Sequence, residues 1–569
     1  MNISRRKFLN LNLQGLALTA GSSLLLFNSQ GCVISGQRMG GVFSKDIGPI
    51  DRNIGDQFQT CFSGDQFSYP HAFIRDRQKV KNSRVRKHNE IYDVVVIGGG
   101  MAGMVAAWQL RGLKVLVLEQ ASRLGGNSKG ESWRGTDYSI GAAYITLPER
   151  GSRIDQLLSE TGCYSVLRET KEASPIIVDG QKIDSIWEHD LDVKTSSATR
   201  ILKQHFEDVY NSTNGLNFPE MPYNGAMSAN VVRSLDTHNF YDHLVKVLGR
   251  DLPPIIDNLI EHYCWSSFGA SMREISAAAG LNFYSCEFHP LLVGAGGNSS
   301  IVDKLYSNLP NTEFRTDQLI CNVSLDGKLA NIRAINTELN NEMGCQERVM
   351  NDGLITEEYQ SRFVVMTTPK FMAKSLLTDL EDVRLQAIDS LEYRAYLVAN
   401  ILIKDRVTSQ IYDIYFSSNR QAVDDTITRS EKQGFTDVIL ANFADSDGYG
   451  TVLTLYKSYP FRGGRAILAN MTEPQTVLEE FKKQIYKDIL PTLGLTADIV
   501  HDIRFTRWGH ALPIARCGIY RDRTPEILSK PYKNTIFFAQ QDNWCLPAFE
   551  TSALTAFRAT DDIKSRLSR

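Results

Sequence analysis

The chain has 569 residues, 42% of them apolar, which is enough for a large core and two to four structural units. Its 62 basic and 65 acidic residues leave a formal charge of -3 with no long basic run, which argues against nucleic acid as a partner. Nine cysteines without a Cys-x-x-Cys pair, and no histidines at ligand spacing, give no support to a metal site.

The chain opens on Ser4-Arg5-Arg6-Lys7-Phe8-Leu9 and a modest apolar run from Leu11 to Phe27. This is the pattern of a twin-arginine signal peptide over residues 1–31, so the protein is expected to be exported already folded, to the periplasm. Ser29-Gln30-Gly31-Cys32 has the small residue and cysteine of a lipoprotein cleavage site, although Ser stands where Leu is usual. A lipidated Cys32 would hold the protein on a membrane surface. Residues 32–90, rich in Gly, Asp, Arg and Asn, read as a linker with room for some surface-wrapping structure, and Lys79 to Lys87 as a solvated basic stretch.

The first strong signal is Ile91 to Ile97, a β-branched run that feeds into Gly98-x-Gly100-x-x-Gly103. Gly98 allows a tight turn off the strand, Gly100 leaves room for a pyrophosphate against the backbone, and Gly103 lets helix and sheet pack closely. Met101 and Ala102 open the helix, whose free N–H groups then face the phosphates. Lys114 to Leu118 is the next buried strand, and Glu119 at its end suits the hydroxyls of an unphosphorylated ribose. The run Glu119-Gln120-Ala121-Ser122-Arg123-Leu124-Gly125-Gly126-Asn127 then resembles the extension found in flavin amine oxidases, phytoene desaturases and protoporphyrinogen oxidases. That resemblance implies FAD, with the Arg123 to Asn127 loop running along its pyrophosphate and ribityl chain.

The same resemblance orders the rest of the chain. Gly141-Ala142-Ala143 would lie against the isoalloxazine ring, as strand glycines often mark close approach of a ligand. Residues 151–280, with Ile154-x-x-Leu157-Leu158 and Leu244-x-x-Val247-Leu248, read as a helical cap. Gly294 to Val302 resembles the second glycine-rich segment of the family, and Val323 is the match for the residue whose backbone meets the adenine. Residues 390 to 500 alternate strands (Tyr396 to Ile403, Val452 to Tyr459, Ala466 to Ala469) with a helix from Val477 to Ile489. At the end, Gln540-Gln541-Asp542 and Phe549 to Ala553 resemble the closing strand, acid and helix of the FAD domain. Asp542 stands for the acid near the ribityl chain, and Phe549 opens a helix aimed at the flavin pyrimidine edge.

The fold expected is α/β, a discontinuous Rossmann-type FAD-binding domain (91–150, 281–375 and 501–569) with a mixed α+β cap and substrate domain (151–280 and 376–500). Arg507-Trp508-Gly509-His510 resembles bacterial polyamine dehydrogenases and related exported FAD oxidoreductases. Trp508 would wall the cavity for a cationic amine, His510 would accept a proton, and Tyr144 and Trp544 are further cavity candidates. The expected chemistry is hydride transfer from a C–H next to nitrogen to flavin, with oxygen or a membrane acceptor taking the electrons. The alternatives are a desaturase or isomerase of a lipid-like polyene, or a non-catalytic flavin-fold lipoprotein.

Overall fold

A computed structural model describes residues 46–568, apart from 66–67, 76, 171–174, 189–191, 339–353, 408–410, 418–433, 445–447, 460 and 472. The twin arginines and Cys32 lie outside the described residues.

The nucleotide domain is built on strand β1 (Arg84–Ile97), helix α1 (Met101–Gln109) and strand β2 (Val115–Leu118). Val94 to Ile97 and Val115 to Leu118 are buried on both faces, as parallel strands between helix layers must be. Each such Val or Leu contributes roughly 1.5–3 kcal/mol of burial. The chain then leaves for the cap, whose long helices are α2 (Val193–Tyr210) and α3 (Pro254–Phe268). It returns through β3 (Glu313–Arg315), β4 (Gln318–Asp326), β5 (Leu329–Asn336) and β6 (Ile355–Met366). The strand order is β3-β2-β1-β6-β5-β4, parallel from β3 through β6 and antiparallel from β6 to β4.

A second, mostly antiparallel sheet carries the substrate side. Its central strands are β7 (Tyr393–Ile403), β8 (Asp413–Ser417), β9 (Asp437–Leu440), β10 (Thr451–Tyr459) and β11 (Val500–Pro513), in the order β8-β9-β10-β7-β11. The chain closes with β12 (Ile536–Phe538), parallel to the end of β6, and helix α4 (Phe549–Leu567), which packs on α1. The nucleotide domain is thus assembled from three separate stretches of chain.

Three expectations are corrected. The segment read as linker contains the short strands Ile50–Asp51 and Ser63–Gly64, helices at Ser68–Arg75 and Arg77–Lys81, and the first seven residues of β1. Arg84 to Glu90 are mostly exposed and charged, so no apolar pattern marks them; backbone pairing with β6 makes them strand. Within 151–280, the helix Arg153–Glu160 packs its Ile154, Leu157 and Leu158 into the nucleotide-domain core, and the hairpin 176–183 extends the substrate sheet. Ala466 to Ala469 is helix, part of Phe461–Asn470. A four-residue apolar run has no period long enough to tell the two states apart.

Candidate active site

Between the two sheets lies a cavity of about 1010 Å³. It runs from the C-terminal ends of β1 and β2, where doubly wound folds bind ligands, to the base of the cap.

At its first end stand Glu119, Gln120 and Gln318 to Ile320. Glu119 Oε2 accepts the Gly99 N–H at 2.7 Å and Oε1 accepts the Ala121 N–H at 2.8 Å. Each oxygen keeps a lone pair for a ribose hydroxyl. Val323 is not here. It faces the core five residues further along β4, roughly 16 Å at the strand rise, and the start of β4 takes its place because Gln318 N–H donates to Glu119 O at 2.8 Å.

The middle is a glycine cradle. Gly98 has φ +107°, and a Cβ on Gly103 would sit 2.0 Å from Gly98 O, so neither of these two positions admits a side chain. Gly125 N–H donates to Gly99 O at 2.8 Å, and a Cβ on Gly126 would come 3.1 Å from the Gly100 Cα. The two loops therefore form one bare backbone surface, with Met101 and Ala102 presenting the first turn of α1. Such a cradle beside a strand-end acid fits a dinucleotide. Arg123 does not contribute. Its guanidinium turns away, donating to Gly48 O (3.3 Å), Ile50 O (3.0 Å) and Asp51 Oδ1 (3.2 Å), and so fastens the N-terminal arm to the nucleotide loop.

Beyond the cradle a flat wall is made by Asn127 and Gly141 to Ala143. Ala142 N–H donates to Asn127 O at 2.8 Å, and a Cβ on Gly141 would meet that same oxygen at 2.2 Å. Tyr456 and Tyr412 hold this wall from the substrate sheet, donating to Gly141 O and Ala143 O, each at 2.9 Å. Trp508 stands beside it with its indole N–H on Ile140 O at 2.7 Å. Phe549 opens α4 at the edge of the cavity, next to Glu550. Glu550 accepts from the Thr146 N–H and hydroxyl, and burial raises its pKa, which opposes a negative charge at that helix end.

Asp542 lines the cavity, and its Oδ2 accepts from the Lys370 N–H (3.0 Å) and the Tyr393 hydroxyl. His510 also lines it, but its Nε2 lies 2.6 Å from Arg465 Nη1 and its ring packs 4.4 Å from Phe371. Burial first, and the Arg465 charge second, push its pKa down to about 3, so it is too weak a base to take a proton near neutral pH. Trp544 is not in the cavity. It is buried edge-on against Tyr223 at 4.6 Å.

The far end was not foreseen. Glu287 and Asp437 line it together with Tyr144, Tyr263 and Ser266, and Asp413 stands behind, on the same sheet face and diagonal to Asp437. Tyr263 donates to Glu287 Oε1 at 3.0 Å, and Thr436 donates to Asp437. Burial pushes the Glu287 carboxyl up to about 7 and Asp437 up to about 6. Asp413 goes well above the carboxylate range, through burial and then the nearby Asp437 and Glu287 charges, and its Oδ1 has no hydrogen-bond partner among the described residues. These acids come from a turn and two strands far apart in sequence, so no motif joins them.

The comparisons agree with this architecture. Residues 96–161 match the family model described as NAD(P)-binding Rossmann-like domain. Oxidoreductase PigB of a Serratia species is 24% identical over 533 residues, covering 84% of this chain and 75% of that protein. (S)-6-hydroxynicotine oxidase of Paenarthrobacter nicotinovorans is 23% identical, over 42% of this chain and 56% of its own length. Among solved structures, a putrescine oxidase variant redesigned in its cofactor binding superposes with a TM-score of 0.60 at 16% identity, over 85% of this chain and all of that one. The resemblance is borne out in sequence to proteins named as oxidoreductase and oxidase and in fold to an amine oxidase, and with it the reading of the chain as an oxidoreductase of Rossmann-type α/β fold.

Proposed function

We propose that this amine-oxidase-like oxidoreductase is an exported FAD enzyme that oxidises a C–H bond next to a protonatable nitrogen. The observation that carries the substrate class is the acidic end of the cavity: Glu287 and Asp437 on its wall and Asp413 behind them. Buried carboxyls are costly unless a positive charge meets them, and an ammonium group entering beside Tyr144 and Tyr263 supplies that charge. A polyene substrate would leave the acids uncompensated, which counts against a desaturase or isomerase.

FAD, when bound, supplies the hydride acceptor. Glu119 and the start of β4 would hold its adenosine end, the glycine cradle its pyrophosphate, and the Asn127 and Gly141 to Ala143 wall its ring. Trp508 and Tyr144 exclude water and offer ring faces to the cation. The amine must lose a proton before its nitrogen can push out hydride. Glu287, with a pKa near 7, is matched to accept that proton at neutral pH. It replaces His510 in that role.

Export is supported by the twin arginines and by Cys61, which is disulfide-bonded, as suits an oxidising compartment. Oxygen or a membrane acceptor would then take the electrons. Two experiments test the reading. The purified protein should carry a yellow flavin that bleaches anaerobically with amines and not with polyenes; bleaching by polyenes alone would overturn it. An Arg5→Lys/Arg6→Lys variant should accumulate in the cytoplasm, and undiminished export would refute the twin-arginine assignment.

A further inference from the structure

Beside the acidic end of the main cavity lies a second, smaller one of about 110 Å³. Tyr263 and Glu287, joined by their hydrogen bond at 3.0 Å, line both cavities and stand between them. Ser185, Glu188, Lys203 and Glu207 also line the smaller one. Lys203 and Glu207 are one turn apart on the same face of α2, and Lys203 pairs with Glu188, whose side chain is 66% exposed, so this cavity reaches solvent there.

Ser185 Oγ is buried and has no hydrogen-bond partner among the described residues. Buried hydroxyls are satisfied by protein or by ordered water, and a polar cavity of this size has room for several waters. The chemistry leaves a proton for them to move. When the substrate ammonium gives its proton to Glu287, one N–H breaks and one O–H forms, and the nitrogen keeps the electron pair that expels hydride to the flavin. While product fills the acidic end, that side of Glu287 is covered. Its other side is the small cavity.

We propose that the small cavity is a water-filled proton exit, which carries the proton from Glu287 past Ser185 to Glu207 and the solvent while the main cavity is still occupied. This rests on the amine reading. The Glu287 O–H breaks as a water takes its proton, each water passes one on, and the Glu207 carboxylate or bulk water receives it, so that Glu287 is again a carboxylate for the next turnover. Ser185 and Glu207 are positioning residues for those waters; neither lines the main cavity.

The test is anaerobic stopped flow on the FAD-loaded full chain at pH 8 in weak buffer, with flavin bleaching and phenol red followed together. The probes are n-butylamine, benzylamine and dibutylamine, and the one that bleaches fastest is used. Wild type should release one proton per flavin bleached, in step with bleaching. Ser185→Leu plugs the cavity: bleaching should stay within about twofold, since Glu287 starts ionised, while proton release lags roughly a hundredfold, the low end for loss of a positioned proton-transfer group. Ser185→Thr keeps the hydroxyl and should release like wild type, and Glu207→Gln at the outlet should lag as well. Release in step with bleaching in both Ser185→Leu and Glu207→Gln, or bleaching slowed equally with release, overturns the proposal. Should Ser185→Leu fail to fold, Glu207→Gln decides alone, a lag supporting the exit and prompt release overturning it. If none of the three amines bleaches the flavin, the amine reading fails and the exit falls with it.

Discussion

Replacing Glu287 by Gln separates what the acidic chamber does for substrate from what it costs the fold. The carboxyl has an ordinary pKa of 4.5 and a folded value of about 7, raised by burial. Below pH 4.5 it is neutral in both folded and unfolded chains, and it makes no difference to stability. As the pH rises through 7 the unfolded chain ionises first, so the folded state carries a growing penalty, complete above 7 and worth about 3 kcal/mol. Glu287→Gln removes that penalty. The cofactor-loaded variant should therefore melt above wild type at pH 8 and level with it at pH 4. Substrate binding should move the other way. Losing one buried partner of an ammonium costs at least about 2 kcal/mol, roughly thirtyfold, and Gln cannot accept the amine proton, so kcat/KM should fall further, toward the roughly 10²- to 10⁴-fold of a lost general base. The assays are thermal melts at the two pH values and anaerobic bleaching against amine concentration. Unchanged kcat/KM together with parallel melts at both pH values would refute the reasoning.

Arg123→Met should free the arm around Ile50 while leaving FAD affinity within about twofold; limited proteolysis should cut residues 46–65 faster than in wild type, and a large loss of FAD would show that Arg123 holds the cofactor after all. Gly103→Ala puts a methyl 2.0 Å from Gly98 O, a backbone atom that has nowhere to go. It should cost about 3 kcal/mol or more and release flavin from whatever folds, as read by the flavin-to-protein absorbance ratio. His510→Gln keeps an acceptor for Arg465, and because the His510 pKa lies near 3 the pH profile of flavin reduction should be unmoved between pH 5 and 9. A missing limb in that profile would reinstate His510 as the base.

The nucleotide-binding half was legible because its chemistry is local. Gly98, Gly100, Gly103 and Glu119 follow one strand-turn-helix-strand path, and contacts within that path leave Gly98 and Gly103 no room for a side chain. Arg123 belongs to the same short motif and was still misplaced, since its direction depends on a partner, the arm at 48–51, that carries no apolar pattern. Val323 was lost to register. A strand whose first six residues are all buried or half-buried offers no internal mark of which one meets the cavity, and the bond from Gln318 N–H to Glu119 O decides it.

The acidic chamber marks the other limit of sequence reading. Asp413, Asp437 and Glu287 are ordinary letters in their own segments, and only the pairing of β8 with β9 and the packing of the cap bring them to one place. Their cost explains their form. Two fully buried carboxyls and a half-buried third, with few donors, weaken the apoprotein above pH 7; the proposed cationic ligand would offset that cost, and the tyrosines around them supply ring faces and weak donors in place of competing cations. A neutral substrate leaves that arrangement without a reason. A cationic one accounts for the acids, for the tyrosines, and for a base with a pKa near 7 in the same cavity.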